Sequence, residues 1–354
     1  MTMGAKTPSP QKPIARRRRL VFALVPLACL LLLGELAVRV GRAPLHFGSF
    51  RDLRTGLMQR NYPAELHPTL GYVPRPDFQS RDNHWGTLVS IDHDGMRKNG
   101  VIPPPPADKV IAVVGDSFTF GDQVDDDASW PAQLEVATGQ PVRNGGVFGY
   151  SLTQSVLRAE LMLAQFPVST LVVSFIPDDL TRCEYSKRYT PLPWFDLDGD
   201  GIVLRNVPLD HTARADSTKQ WKDFLGYSAL LDAVLANTCR AWWFENEKQV
   251  TVPHLVGMGG EIGKRLVQRI DACSRARGVR LLIVLLGDVS TEQAVAVLRH
   301  AEAHGVQTLD LVSRFQQVSA GDATLHARYF KGHMTRAGNG WAAHEIASVL
   351  RTPR

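Results

Sequence analysis

Two residues far apart in the chain carry side chains suited to acyl transfer. Ser117 sits in Gly115-Asp116-Ser117-Phe118-Thr119-Phe120-Gly121, behind the apolar run Val110-Ile111-Ala112-Val113-Val114, and His333 sits in Gly332-His333-Met334-Thr335-Arg336-Ala337-Gly338-Asn339. A serine hydroxyl is a weak nucleophile until a base takes its proton, and imidazole is the side chain whose ordinary pKa suits that role near neutrality. The reaction also needs donors aimed at the oxyanion that develops in the transition state. The apolar run reads as a buried parallel strand that delivers the serine at its carboxyl end, the edge where ligands bind in open α/β sheets.

The first word resembles the opening block of the SGNH (GDSL-type) hydrolases, and the second resembles their last block. In that family the serine is the nucleophile and the histidine acts as general base, then general acid. A glycine of a second block and an asparagine of a third donate to the oxyanion beside the serine amide, so Ser117 would also serve there. Asn144-Gly145-Gly146-Val147-Phe148-Gly149-Tyr150 matches the second block and places the glycine donor at Gly146. The third block is altered: Phe175-Ile176-Pro177-Asp178-Asp179-Leu180 has Asp178 where the family has asparagine, and an ionised carboxylate cannot donate a hydrogen bond. The last block is altered too, because Phe330 and Lys331 stand where members carry an aspartate before the histidine. Candidates for orienting His333 are Asp310, Asp322, or a backbone carbonyl in a Ser-His dyad. The resemblance covers roughly 109–350. It implies an α/β fold, a three-layer α/β/α sandwich with a parallel flavodoxin-like sheet, and ester or O-acyl chemistry with no metal or organic cofactor.

The elements that must position these residues show in the hydrophobic pattern. Strands are expected at 110–114, 142–144, 170–175, 280–286 and 307–311, and helices at 130–138, 152–165, 224–242, 262–277, 291–303 and 340–350. Short apolar runs alternating with amphipathic ones argue for crossover units and a parallel sheet. The domain proper is expected at 109–354, with an insertion at about 183–255 beside the active face. Residues 41–108 read as an extension packed on that domain, ending in the proline run 103–106 as a stiff linker. Its segments Leu70-Gly71-Tyr72-Val73-Pro74 and Val89-Ser90-Ile91-Asp92-His93-Asp94-Gly95-Met96-Arg97 resemble a lead-in of membrane-anchored SGNH-like proteins. The acidic run 196–201 superficially matches a calcium loop, but Val207 stands at the twelfth position where a bidentate glutamate is needed. A hairpin turn is the expectation there.

The net charge of +5 is unevenly placed: residues 1–42 hold eight Lys/Arg and Glu35, which leaves the rest of the chain slightly acidic and unsuited to nucleic acid. Residues 1–19 read as a basic cytoplasmic tail and 20–40 as a transmembrane anchor, since about twenty apolar residues can span a bilayer. The positive charge before that run predicts that the remainder faces outward, in the simplest setting from a bacterial inner membrane into the periplasm. A cleaved signal peptide and a lipoprotein acylated at Cys29 are the rival readings. Of the remaining cysteines, Cys183 with Cys239 is the expected bridge, with Cys273 buried. The expectation for function is a serine esterase, or an O-acyl hydrolase or transferase working on acetyl groups. Its partner would be an ester-bearing substrate, an acylated envelope or exported carbohydrate. The rivals are a lipid or small-ester hydrolase and a non-catalytic envelope or polysaccharide-assembly protein.

Overall fold

The apolar runs pair as parallel strands β1 (Val110–Val114), β2 (Val142–Asn144), β3 (Val168–Phe175), β4 (Arg280–Leu285) and β5 (Gln307–Asp310), ordered β5-β4-β3-β1-β2 in one sheet. This computed structural model describes residues 16–42, 47–51, 63–83, 85–100, 108–188, 190–199, 201–210, 217–244, 251–322 and 324–352. The tail before residue 16 and the proline run 103–106 lie outside the described residues. The chain divides into two units, Met1–Gly56 with Arg214–Glu245, and Leu57–Ala213 with Asn246–Arg354.

The second unit holds the sheet. Its helices include α1 (Ser117–Phe120), α2 (Trp130–Thr138), α3 (Leu152–Gln165), α4 (Pro177–Arg182), α5 (Gly259–Arg275), α6 (Glu292–Ala303), α7 (Leu311–Ser319) and α8 (Arg336–Arg351). Successive strand residues point to opposite faces. Ile111 and Val113 therefore pack with Trp130, Leu134, Phe315 and Ile346, under α2, α7 and α8. Ala112 and Val114 pack with Val156, Ile262, Leu266 and Val297, under α3, α5 and α6. The fold is a three-layer α/β/α sandwich of flavodoxin-like strand order, as expected. The chain leaves β1 toward β2 on one side and returns to β3 on the other, which makes the carboxyl ends of β1 and β3 the topological switch point.

The first unit holds the helix Arg16–Arg42, whose stretch Leu24–Gly41 is long and apolar enough to cross a membrane. Glu35, the one acid in that helix, accepts through its carboxylate from Ser228 Oγ and from the amides of Ala229 and Leu230, at 2.7–3.0 Å. These amides begin the helix Ala229–Thr238, and a negative charge there satisfies donors that no turn of helix can reach.

Several expectations are corrected. The single helix at 224–242 is three, Ser217–Leu225, Ala229–Thr238 and Arg240–Phe244. Gly226 breaks it where a Cβ would lie 2.5 Å from Ser49 Oγ, and Ser228 starts the next helix by capping Leu231 N. The last helix begins earlier, at Arg336, because Thr335 caps it through Gly338 N. The bridge between Cys183 and Cys239 is absent: both thiols are free, and buried Cys183 donates to Asp179 O within its own turn. The hairpin expected at the acidic run is present, with Trp194–Asp198 pairing antiparallel to Gly201–Arg205.

The segment before β1 is joined to the sandwich by two buried cations, Arg158, which donates to Gly95 O, and Arg97. Arg97 is fully buried, and each of its five N–H groups has an acceptor. Nε donates to Asp126 Oδ1 (3.2 Å), Nη1 to the carbonyls of Phe120 (2.6 Å) and Gly121, and Nη2 to those of Val124 (2.7 Å) and Leu88 (3.2 Å). Its backbone N–H reaches Asn144 O at the end of β2. Lysine offers three donors from one point and cannot reproduce that fan. Arg97→Lys is expected to cost about 2 kcal/mol and Arg97→Ala about 4 kcal/mol of unfolding free energy, because each leaves buried acceptors and a buried carboxylate unpaired. Denaturant titration checks this, and an unshifted midpoint for Arg97→Lys would overturn it.

Candidate active site

β1 ends at Val114, and the chain turns through Gly115 so that Asp116 caps α1 and Ser117 opens it. Asp116 Oδ1 accepts from Phe118 N (3.0 Å), and Asp116 Oδ2 accepts from Ser117 Oγ and from Arg182 Nη1, both at 3.3 Å. The helix stops after one turn because Gly121 adopts φ +77° and returns its N–H to Ser117 O. A Cβ at Gly121 would lie 2.7 Å from Ser129 Cβ, so glycine is required both for that backbone and for that space.

His333 arrives on a hairpin. β6 (Phe330–Lys331) pairs with β7 (His333–Met334), with Gly332 at φ +79° between them. Phe330 and Met334 point into the core beside α2 and α8. Alternation then turns His333 the other way, and its Nε2 lies 2.8 Å from Ser117 Oγ, 216 residues distant in sequence. The Phe118 ring stands 4.8 Å from the imidazole and limits its tilt. On the other side of the ring the Gln123 carboxamide lies 2.7 Å from Nδ1.

The remaining expected residues divide. Gly146 fits only as glycine, since a Cβ would lie 2.4 Å from Phe120 N, and its N–H donates to Asn144 Oδ1 at 3.0 Å. Asp178 faces solvent with 76% of its side chain exposed, 3.8 Å from Arg182 Nη2. Asp310 caps α7, accepting from Ser313 N and Ser313 Oγ, and Asp322 accepts from Thr324 N and Thr324 Oγ1. Neither of these two acids makes a contact with His333, so both candidates for the orienting acid are corrected: their carboxylates close local turns.

Three residues that had no expected role in the chemistry surround the pair. Asp179 is fully buried; its Oδ2 accepts from Ile176 N and its Oδ1 lies 2.6 Å from Arg182 Nη1. Burial and the neighbouring Asp116 push Asp179 well above the usual carboxylate range, with Arg182 opposing. Burial works against the charge of Arg182, and Asp179, Asp116 and Asp178 outweigh it, holding the guanidinium above its ordinary value. Asp122 is buried with Oδ1 unpartnered among the described residues and 3.9 Å from His333 Nε2; burial and then Asp116 raise it to about 7. Burial lowers His333 below its ordinary 6.5, with Asp116 opposing and Arg182 adding, so the ring is neutral near pH 7. Arg182 was within reach of sequence reasoning, because it lies three and four residues after Asp179 and Asp178 on one helix. Asp122 and Gln123 carried no such signal.

No family model matches the chain, and no curated protein matches it. Solved structures do resemble it. A mutant of an acetyl-xylooligosaccharide esterase from Geobacillus Stearmophilus is 11% identical with a TM-score of 0.40, covering 71% of this chain and 98% of that one. A family two carbohydrate esterase from Clostridium thermocellum is 11% identical with a TM-score of 0.36, covering 71% and 66%. A GDSL-like lipase from Bacteroides thetaiotaomicron is 12% identical with a TM-score of 0.32, covering 71% and 92%.

Asp122 gives the site a stability signature. Its folded pKa is raised above the ordinary 3.8 to about 7. The folded state therefore binds more protons between those values, and the favourable contribution present at low pH is lost as pH rises through about 7. Asp122→Asn, which cannot ionise, is expected to melt progressively higher relative to the parent as pH rises from about 4 to about 7, with no further change above that. Parallel melting curves of the two proteins across that range would show that Asp122 does not carry the raised pKa.

Proposed function

We propose that this chain is an SGNH-type serine hydrolase acting on ester bonds. The observation that supports it most is the 2.8 Å approach of His333 Nε2 to Ser117 Oγ at the switch point of the sheet. In this reading Ser117 Oγ attacks an ester carbonyl while His333 Nε2 takes its proton, then returns that proton to the leaving alkoxide. A water, or an acceptor hydroxyl, then releases the acyl group by the same two steps in reverse. The Ser117 amide is the first oxyanion donor. Gly146 is the second once its N–H turns from Asn144 Oδ1.

The finer reading adds a substrate and a place. The helix Arg16–Arg42 anchors the chain in a bacterial inner membrane with the sheet unit outside it, and the ester is an acyl group, foremost acetyl, on an envelope or exported carbohydrate. The apolar stretch Leu24–Gly41 supports the location, and an outward-facing site would meet exported polymer as it passes. A second reading, a non-catalytic envelope protein, is favoured by the engagement of Gly146 N–H with Asn144 and by the outward turn of Asp178.

The full chain in detergent, treated with a fluorophosphonate probe of activated serines, separates the two. Labelling that is lost in Ser117→Ala and in His333→Ala is the expected result; well-folded protein that takes no label would favour the non-catalytic reading. With a generic acetyl ester, the acid limb of kcat/KM is expected below pH 6.5, because burial lowers the pKa of the neutral, basic form of His333 from that value. A limb above 6.5 would contradict the lowered pKa.

A further inference from the structure

We propose that the Gln123 carboxamide is the positioning group of His333, standing where the resembling hydrolases use an acid, and that it sets the ring tautomer by which of its two ends faces Nδ1. The inference rests on the serine-hydrolase reading and deepens it.

Among the described residues, the geometry leaves Nδ1 one partner. Gln123 lies 2.7 Å from it, whereas Asp122 approaches the opposite nitrogen, Nε2, at 3.9 Å. The place of the expected acid, two and three residues before His333, is held by Lys331, which is exposed, and by Phe330, which is buried against Phe315. Although Gln123 is itself exposed, its backbone is held on both sides, because Arg97 binds the carbonyls of Gly121 and Val124. The carboxamide oxygen lies beside Gly332, where a Cβ would meet it only in ordinary contact, at 3.8 Å.

A carboxamide offers a donor end and an acceptor end. With the amino end toward Nδ1, the ring proton sits on Nε2 and is donated to Ser117 Oγ, whose own proton goes to Asp116 Oδ2, 3.3 Å away. That chain of hydrogen bonds is closed, and the serine has no base. A half-turn of the carboxamide presents its oxygen to Nδ1–H. The ring proton then moves from Nε2 to Nδ1 through solvent, to which the imidazole is 27% exposed, and the lone pair of Nε2 faces the serine proton. No bond to carbon forms or breaks, and no charge is created. Of the charged groups facing the ring, Asp116, Asp122 and Arg182, Asp116 gives up the serine proton on switching and keeps its bonds from Phe118 N and Arg182.

The test uses the full chain with Gln123→Met, which keeps length without hydrogen bonding, and Gln123→Glu, which can only accept. Two readouts are taken: the rate of fluorophosphonate labelling, and the His333 tautomer and pKa from histidine-selective 15N spectra assigned with His333→Ala. For Gln123→Met, labelling is expected to slow by roughly 10² to 10⁴, the range that a mis-set imidazole tautomer commands, at an unchanged melting temperature. Gln123→Glu is expected to restore the rate, hold the proton on Nδ1 and raise the His333 pKa, since a carboxylate beside the ring favours its charged form. A merely structural side chain would move neither tautomer nor pKa. Equal labelling by Gln123→Met and the parent overturns the proposal, as does a slow Gln123→Glu with an unmoved pKa. If the parent itself takes no label, the hydrolase reading fails, and the spectra still decide: the same tautomer balance in the parent and Gln123→Met overturns the positioning role.

Discussion

Arg97 is the constraint on which the site depends. A guanidinium removed from water is costly unless every donor is met, and here the acceptors are four backbone carbonyls and the Asp126 carboxylate. Three of those carbonyls belong to Phe120, Gly121 and Val124, the stretch that leaves the nucleophile helix and carries Asp122 and Gln123 past the imidazole. Asp126 in turn accepts from Ser90 N, and Arg97 N binds Asn144 O. One side chain from the segment before the sandwich thus ties together the loop after β1, the end of β2 and the strand Val89–Ser90. The segment is best described as a brace for the site rather than a lead-in to it.

Around that brace, the two chemical residues are held by unrelated means. Ser117 is fixed by a strand, a cap and a one-turn helix, all local in sequence. His333 is fixed by a two-residue hairpin whose alternate side chains, Phe330 and Met334, sink into the core shared by α2 and α8. Because alternation is strict, burying Phe330 and Met334 leaves His333 no face but the one toward Ser117. The same burial explains why no acid stands two or three residues earlier: the third is a core position, and the second points into solvent.

How much of this was legible follows from how local each cause is. β1 lies where its apolar run puts it, because a central parallel strand is buried on both faces and reads as a continuous apolar word. α3 was equally plain, since Ser151 and Gln154 form a capping box around its start. The single helix expected across 224–242 is interrupted at Gly226, where a Cβ would meet Ser49, and restarts where Ser228 caps Leu231 N. α7 was missed for a related reason. Asp310 was weighed as a catalytic acid, and its neighbour Ser313 in fact makes it a cap. Within the site, Ser117 and His333 can be read from words and Arg182 from its spacing to Asp178 and Asp179, but Gln123 and Asp122 are defined by folding and not by spacing.

The charge balance of the site gives a physical reason for a neutral group at Nδ1. Asp116 and Asp179 are buried around one guanidinium, Arg182, which also faces Asp178. Asp122, beside the imidazole, is raised to about 7 first by burial and then by the negative charge of Asp116. A further acid against Nδ1 would have to ionise in the same company, at a raised pKa of its own. A carboxamide orients the ring without adding a charge, which is why a chain that has already placed several carboxylates around its nucleophile can do without an aspartate in its last block.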